Sequence, residues 1–360
     1  MDNGAKASGI KDIAKALGVS IGTVDRAIHG RSGVSEKTKA KVLRTAERLG
    51  YKPNLAAQAL KLNRQLSIAV ILPRHISHFF DPLRAGIRAA AAATVGMHIA
   101  TEFFEYPRLG VGDEEAFARV MHRHYDGIIF LPGDGRKFDP LIRKLSAAGT
   151  AMMCVGSDAP NTERIGSIAA HAYISGAIAA ELLSLKLSHR TNVAIFSGEL
   201  STLDHAEKLR GFAATLAVQA SHLTLLPALE SHERPKEAYR QALTLMEGKS
   251  RPEGLYLSTA NSIPVLNALE ELGLLGKVQI VTTDLFGELV PLIESGKILA
   301  SLYQRPYRQG KLAFENLVAY LLKEENLQTV VRLAPHVIFR SNLSLFSGAI
   351  SESESELESE

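Results

Sequence analysis

Polar and aromatic side chains recur directly after short apolar runs in the second part of this 360-residue chain. Ligands of open α/β sheets bind beyond the carboxyl ends of the strands, so these side chains are candidate ligand contacts. Aromatic faces can pack against a sugar ring, while carboxylates and amides pair with its hydroxyl groups. A helix cap or a loop carboxylate is the alternative role for the polar ones. The candidates for a carbohydrate-like ligand are His75, Phe79, Phe80, Asp134, Asp158, His205, Lys208, Asn261, Asp284 and Gln304.

Catalytic chemistry has little support in the sequence. None of the 12 histidines stands in a His-x3-His pair, the spacing that places two metal ligands on one helix face. The segment Gly133-Asp134-Gly135 is too short for a loop that cradles a phosphate group. We therefore expect a binding protein and not an enzyme, with no metal and no cofactor.

The elements that position the candidates follow from the hydrophobic pattern beyond Leu66. Apolar runs at residues 67–73, 98–104, 127–133, 151–156, 193–197, 254–258, 278–283 and 299–303 have the length of buried parallel strands. Amphipathic helices separate them, for example at residues 82–95, 173–187, 205–217, 263–272 and 309–322. This alternation predicts doubly wound α/β sheets, and the length of the chain predicts two such lobes.

The first fifty residues have a different pattern, that of a small helical unit. Gly18 supplies the permissive backbone of a tight turn, and Ser20 is the expected N-cap of a second helix over residues 21–29. A third helix is predicted to begin at the cap residue Ser35 and to end at Gly50. The buried residues are expected to be Ile10, Ile13, Ala14 and Leu17 in the first helix and Val42, Leu43, Ala46 and Leu49 in the third. Two helices around a short turn are typical of a helix-turn-helix DNA-binding unit.

Basic charge is concentrated on this helical unit. Residues 1–64 contain thirteen Lys and Arg against five Asp and Glu, whereas residues 65–350 contain twenty-eight of each. The last ten residues carry five glutamates. The total of +3 therefore hides a strongly basic first unit, which is the pattern of a protein that binds DNA phosphates.

One stretch of the chain resembles the LacI/GalR (lac-repressor) family of bacterial transcription regulators. The match consists of the Ala14-x3-Gly18-x5-Val24 spacing, followed by Tyr51-Lys52-Pro53-Asn54 and Ala56-Ala57-Gln58-Ala59-Leu60. The resemblance implies an all-α, λ-repressor-like helix-turn-helix head and a hinge helix. It also implies an α/β core of two doubly wound lobes, like that of the type I periplasmic binding proteins.

The resemblance also implies which residues contact DNA. In this family the second helix lies in the major groove, which gives base-reading positions to Ile21, Gly22 and Arg26. Positions that face the DNA backbone correspond to Thr23, His29, Ser35 and Thr38. In the hinge, Asn54, Ala57 and Leu60 complete the expected contacts, and Leu60 has the place of the leucine that wedges into the minor groove.

Three residues depart from the pattern of the family. Asp25 stands where serine is usual, and its carboxylate can orient Arg26, accept from a cytosine amino group or cap the helix locally. Gly22 removes one base-reading side chain, so the operator is expected to differ from those of better-known relatives. Lys208 replaces the arginine of sugar-binding relatives with a point charge, so an acidic or phosphorylated sugar and a non-sugar remain candidate effectors.

Four segments are expected along the chain. They are a DNA-binding head at residues 1–53, a hinge helix and linker at 54–65, a two-lobed effector-binding and dimerisation domain at 66–347, and an acidic tail at 348–360. The tail is low in complexity, which predicts disorder. It lacks the leucine heptads that make some relatives tetramers, and a homodimer matches the two half-sites of an operator.

Export and membrane insertion have no support in the sequence. The polar start Met1-Asp2-Asn3-Gly4 lacks a signal-peptide pattern, and no run of about 18 apolar residues occurs. The single cysteine, Cys154, excludes an internal disulfide. We therefore expect a cytoplasmic protein that does not bind membranes, which argues against a transport binding protein.

Together these patterns predict a transcription regulator, most simply a repressor. Its affinity for a double-stranded operator would be controlled by a small effector bound between the lobes. Two alternatives stay open. One is a regulator that needs its small molecule as co-repressor, or that activates transcription, with a non-sugar effector. The other is a cytosolic sensory protein without a specific DNA target.

Overall fold

The structure, a computed structural model, describes residues 10–28, 32–49, 65–94, 97–324 and 327–346. The DNA contacts expected for His29, Asn54, Ala57 and Leu60 lie outside these residues, as does the acidic tail. The chain divides into a smaller unit, which contains the head helices, and a larger unit, which contains both β-sheets.

Three short helices form the head: α1 (Ile10–Leu17), α2 (Ile21–Ile28) and α3 (Glu36–Arg48). Gly18, between α1 and α2, has a φ of +63°, which lies in the left-handed region that favours glycine. The two N-cap predictions are confirmed. Ser20 Oγ accepts a hydrogen bond from the backbone N–H of Thr23 at 3.0 Å, and Ser35 Oγ accepts one from that of Thr38 at 3.3 Å.

The head has its own apolar core, to which all three helices contribute. Its buried members are Ile13, Ala14, Val24, Ala27, Val42 and Ala46. The expectation that Leu43 is also buried is wrong, because its side chain is 38% exposed. The inward stripe of α3 runs through Val42, Thr45 and Ala46, which leaves Leu43 beyond its edge.

The described part of the larger unit contains two mostly parallel sheets. The first has the order β12-β5-β4-β3-β1-β2, where the strands are β1 (Leu66–Pro73), β2 (Ile99–Tyr106), β3 (Gly127–Phe130), β4 (Ala151–Val155), β5 (Gly166–Ala170) and β12 (Val330–Leu333). The second has the order β13-β11-β10-β9-β6-β7, where the strands are β6 (Thr191–Ser197), β7 (Leu223–Leu225), β9 (Gly254–Leu257), β10 (Gln279–Thr283), β11 (Ala300–Tyr303) and β13 (His336–Ile338). A short β8 (Leu229–Glu230) also pairs with β6. Only the β11–β13 pair among these is antiparallel.

Helices connect most of these strands. They are α4 (Ser77–Ala92), α5 (Asp113–Val120), α6 (Gly135–Ala147), α7 (Ala172–Lys186), α8 (Leu203–Gln219), α9 (Pro235–Glu247), α10 (Ile263–Glu271), α11 (Val290–Glu294) and α12 (Pro306–Leu321). The prediction that α4 begins at Pro82 is wrong, because the backbone N–H groups of Phe79 and Phe80 already bond to the carbonyl of Ile76. Among the described helices, none is long and apolar enough to span a bilayer.

The two sheets are the centres of two lobes, between which the chain crosses three times in its described part. The first lobe contains β1–β5 and β12, and the second contains β6–β11 and β13. The crossings follow β5, β11 and β12. Residues just after β11, including Gln304, therefore lie where the two lobes meet.

A pair of glycines lets α7 and α8 of the second lobe touch backbone to backbone. A Cβ atom on Gly176 would lie 2.0 Å from the carbonyl oxygen of Lys208, and one on Gly211 would lie 2.0 Å from that of Tyr173. Neither position has space for a side chain. This contact fixes α8, the helix that carries Lys208, against the rest of the second lobe.

Gly211→Ala is therefore expected to force α7 and α8 apart. We expect the free energy of unfolding to fall by about 1–3 kcal/mol, since the added methyl meets rigid backbone and not a flexible side chain. Urea unfolding measures the change. Val218→Ala, on an exposed position of the same helix, is the control and should change stability by less than about 0.5 kcal/mol. Equal stability of Gly211→Ala and the unaltered chain would show that the helix contact can relax.

Candidate functional site

The exposed face of α2 carries the three residues predicted to read bases. Ile21 is 51% exposed, and Gly22 and Arg26 are exposed as well. Gly22 and Arg26 are four residues apart and so lie on the same side of the helix. Val24 and Ala27, in contrast, are buried in the head core. The helix can therefore present Arg26 to DNA without disturbing the packing of the head.

The predicted backbone-facing residues lie at the first turns of α2 and α3. The hydroxyls of Ser20 and Thr23 are 2.8 Å apart, and those of Ser35 and Thr38 are 2.9 Å apart. Hydroxyls and free N–H groups at helix N-termini are groups that bind phosphate oxygens. This placement is compatible with the predicted phosphate contacts of Thr23, Ser35 and Thr38, which stay predictions.

A cavity that is partly open to solvent lies between the two lobes. The first lobe supplies a largely apolar wall that includes Ile76, Phe79, Phe80, Leu109 and Leu131. The second lobe and the crossing after β11 supply a polar wall of Thr202, Asp204, His205, Lys208, Glu233, Thr259, Asp284 and Gln304. Six of the ten predicted effector contacts therefore come together here.

Lys208 is the centre of a buried chain of polar contacts in this wall. Its side chain is 1% exposed, and its Nζ lies 2.6 Å from Asp204 Oδ2 and donates to Gln304 Oε1 at 2.9 Å. Gln304 donates through Nε2 to Asp284 Oδ2 at 2.7 Å and through its backbone N–H to Asp284 Oδ1 at 3.0 Å. The chain of contacts thus connects α8 to the ends of β10 and β11.

Asp284 is held in this series of polar contacts by its backbone conformation as well as by hydrogen bonds. Its φ is +66°, and its carbonyl oxygen accepts from Ser301 Oγ. Burial raises the pKa of Asp284 to about 6, although the charge of Lys208 and the hydrogen bonds from Gln304 oppose this shift. Asp284 is 1% exposed, so its carboxylate can contact only groups inside the cavity.

Glu233 is a second buried carboxyl, which the sequence pattern does not reveal. It is 2% exposed, both of its carboxylate oxygens lie 3.0 Å from Thr259 Oγ1, and its Oε1 lies 3.7 Å from His205 Nε2. Burial raises the pKa of Glu233 to about 7, against the hydrogen bond from Thr259 and the charge of Lys208. Glu233 follows β8, whose two residues are too few for any periodicity to indicate a strand end.

His205 faces Glu233 as a neutral imidazole. His205 Nδ1 lies 2.9 Å from the backbone nitrogen of Glu199 and 3.1 Å from its carbonyl oxygen, and His205 Nε2 is the nitrogen nearer to Glu233. Burial and the charge of Lys208 lower the pKa of His205 to about 4. His205 therefore supplies a hydrogen-bond donor but no positive charge at neutral pH.

Four predicted effector contacts lie outside the cavity lining. Asp134 caps α6 by accepting from the backbone N–H groups of Arg136 and Lys137, at 2.9 and 3.4 Å. His75 and Asn261 border a separate hollow. The fourth is Asp158, whose contacts are those of an ion pair. For these four residues an effector contact stays a prediction, for which this cavity gives no support.

Asp158 pairs with two arginines of the first lobe. Its Oδ2 accepts from Arg164 Nη2 at 2.9 Å and also from Arg332. Burial alone would raise the pKa of Asp158, but the hydrogen bonds and charge of Arg164 and the charge of Arg332 hold it below its usual value. The carboxylate is therefore occupied within the protein.

Contacts that cross the cleft hold the lobes around the cavity. Thr202 Oγ1 of the second lobe donates to the carbonyl oxygen of Gly133 in the first at 2.8 Å. The rings of His78 and Phe286, also from opposite lobes, stack with their centroids 4.0 Å apart and their planes at 8°. The conformation described here is thus one in which the lobes enclose the polar wall.

Family models match both parts of the chain. The model for bacterial regulatory proteins of the lacI family matches residues 9–54. The model for the periplasmic binding protein domain matches residues 68–325.

Curated proteins with similar sequences match almost the whole chain. Catabolite control protein A of Priestia megaterium is 25% identical over 344 residues, which cover 92% of this chain and 98% of that protein. The ribose operon repressor of Haemophilus influenzae is 25% identical over 341 residues, which cover 93% and 98%. The transcriptional repressor PurR of Vibrio parahaemolyticus is 23% identical, with the same two coverages.

Solved structures of sugar-binding proteins resemble the larger unit. One is GanP, a glucose-galactose binding protein from Geobacillus stearothermophilus, with a TM-score of 0.70, 22% identity, and coverage of 78% of this chain and 99% of that one. Another is a solute binding protein from Agrobacterium vitis bound with α-D-tagatopyranose, with a TM-score of 0.71, 20% identity, and coverage of 78% and 96%. At these identities the likeness shows the fold alone, and it confirms the predicted two-lobed α/β class.

Proposed function

Because the chain belongs to the LacI family of bacterial regulatory proteins, we propose that it is a transcription repressor whose operator affinity is set by a small effector. The observation that carries the proposal is the coexistence in one chain of two sites. One is a helix that exposes Arg26 on a basic head, and the other is an enclosed polar cavity centred on Lys208. The similar proteins reported above are regulators and sugar-binding proteins, which favours a binding role over a catalytic one.

The effector would act by shifting a conformational equilibrium. Contacts such as that between Thr202 and Gly133 form only when the lobes enclose the cavity. A ligand that binds both walls favours this arrangement by its differential affinity for it. Through the expected hinge at residues 54–65, the change in the lobes would alter how well two heads of a homodimer match two half-sites.

Selection of binding sites from random duplexes by the full-length chain tests the proposal. We expect a pseudo-palindromic operator, and an effector that changes operator affinity by tenfold or more. The direction of that change separates an inducer from a co-repressor. Equal binding to all duplexes would instead support a sensory protein without a specific DNA target.

Arg26→Ala is expected to weaken binding to this operator by about 1–3 kcal/mol and to relax the base preference at one position of each half-site. The reason is that a guanidinium can form two hydrogen bonds with one guanine. Titrations on operator variants measure the effect. Arg48→Ala is the comparison, because loss of an exposed charge without base contact would weaken binding to all sequences alike. The same uniform loss for Arg26→Ala would remove its base-reading role.

Asp284→Asn is expected to abolish the response to the effector while operator binding stays intact. The substitution keeps the size of the side chain but removes the negative charge of the carboxylate. This carboxylate accepts a hydrogen bond from Gln304 and, as proposed, one from the ligand. Operator titrations with and without effector measure it. Asp134→Asn, at the cap of α6 outside the cavity, should leave the response unchanged. If Asp134→Asn abolished the response and Asp284→Asn did not, the effector site would lie at Asp134 and not at Asp284.

A further inference from the structure

The polar wall of the cavity carries an excess of negative groups. Asp204, Glu233 and Asp284 face a single ammonium, that of Lys208, and no arginine lines the cavity in the described part of the chain. The ammonium is already in contact with Asp204 and Gln304. An anionic ligand would therefore bring more negative charge into a buried site whose one cation is occupied.

Glu233 is the carboxyl with the least compensation. Within the described residues no Lys or Arg nitrogen lies within 4.0 Å of its carboxylate, and its nearest basic group is the neutral His205, at 3.7 Å. A hydroxyl, that of Thr259, is its other neighbour. A buried carboxylate in such surroundings is stabilised only if it binds a proton or receives a cation.

Asp204 offers a second open acceptor. Its Oδ2 is paired with Lys208, but its Oδ1 is buried and has no hydrogen-bond partner in the structure. Buried acceptors are almost always paired in native proteins. This oxygen therefore indicates that a donor from outside the chain completes the wall.

The local backbone holds the carboxyl of Glu233 in place. A Cβ atom on Gly198 would lie 1.7 Å from Glu233 Oε1, so the carboxyl occupies the space that glycine leaves free. Glu233 and His232 both have positive φ, of 53° and 50°, and His232 is fixed on two sides. Its N–H donates to the carbonyl of Gly198 at 2.9 Å, and its own carbonyl accepts from Arg108 of the first lobe at 2.8 Å.

We propose that the effector is a polyol that carries a protonated amine, with the ammonium against Glu233 and hydroxyl groups donating to Asp204 and Asp284. This inference rests on the proposed effector function of the cavity and names its ligand class. An ammonium forms a charge-assisted hydrogen bond with Glu233, which is about twice as strong as a neutral one. The apolar wall with Phe79 and Phe80 packs against the carbon face of the ring.

Calorimetric titration of the full-length chain with matched sugars tests the proposal. Each of the glucose, galactose and mannose series supplies three probes: the neutral sugar, its 2-amino derivative and its uronic acid. We expect at least one amino sugar to bind ten or more times as tightly as its neutral counterpart, and no uronic acid to bind. Glu233→Gln should remove this advantage, and Gly198→Ala, which displaces the carboxyl without neutralising it, should reduce it. Glu270→Gln, at an exposed position of α10 outside the cavity lining, should leave the advantage unchanged.

The outcomes separate this inference from the proposed function. The ligand class is overturned, and the effector cavity is kept, if a neutral or acidic sugar binds at least as tightly as its amino derivative and Asp284→Asn abolishes that binding. An amine advantage that survives Glu233→Gln overturns the role of Glu233. Absence of binding by all three amino sugars also overturns the inference, whereas an operator response to another metabolite would still support the regulator.

Discussion

Lys208→Met is expected to lower the free energy of unfolding by about 3–5 kcal/mol, the usual effect of removing one partner from a buried ion pair. Methionine fills a similar volume but leaves Asp204 without the cation 2.6 Å away and Gln304 Oε1 without its donor. Urea unfolding at pH 8 measures the change. Lys236→Met, on an exposed position of α9, is the matched control and should have almost no effect.

The pH dependence of this loss separates charge from packing. The charge of Lys208 lowers the pKa of both Asp284 and Glu233, so its removal raises them further. Both carboxyls then take up protons more easily at pH 5, which removes part of the buried negative charge. We therefore expect a smaller loss at pH 5 than at pH 8. An equal loss at both pH values would mean that the packing of the lysine stem, and not its charge, stabilises the site.

The strand-end rule explains why half of the polar wall was predictable. Asp284 and Gln304 follow apolar runs that are clear in the sequence, and they lie directly after β10 and β11. The N-caps Ser20 and Ser35 were predictable for a similar reason, since capping depends on groups three residues apart. Local patterns thus identify those features that local contacts create.

Long-range contacts explain what the sequence pattern missed. Asp158 also follows an apolar run, but its partner Arg332 lies 174 residues away and comes next to it through the pairing of β12 with β5. Glu233 is the opposite case, since the two residues of β8 give no pattern although the fold brings the carboxyl to Thr259. A strand-end position therefore indicates a candidate, and the pairing of distant strands decides whether the side chain meets the cavity.

Glu233→Gln is expected to raise the free energy of unfolding at pH 8 relative to the unaltered chain. This gain is expected to be about 2 kcal/mol larger at pH 8 than at pH 5. The pKa of Glu233 is raised from 4.5 to about 7 in the folded state, so the folded chain binds more protons than the unfolded chain between these values. Its contribution to stability therefore falls as pH rises through this window and is constant above it. Glutamine does not ionise, so the stability of the variant does not fall for this reason as pH rises.

The comparison with the variant is necessary because the pKa shift of His205 makes stability depend on pH in the opposite direction. Its pKa is lowered from 6.5 to about 4, so the folded chain binds fewer protons in that window and stability rises with pH there. The two slopes partly cancel in the unaltered chain, whereas the difference between chain and variant isolates Glu233. Urea unfolding of both at pH 5, 6, 7 and 8 measures it, with the exposed Glu270→Gln as control. A difference that does not change with pH would mean that Glu233 titrates as an ordinary carboxyl, because only a pKa that differs between the two states makes stability depend on pH.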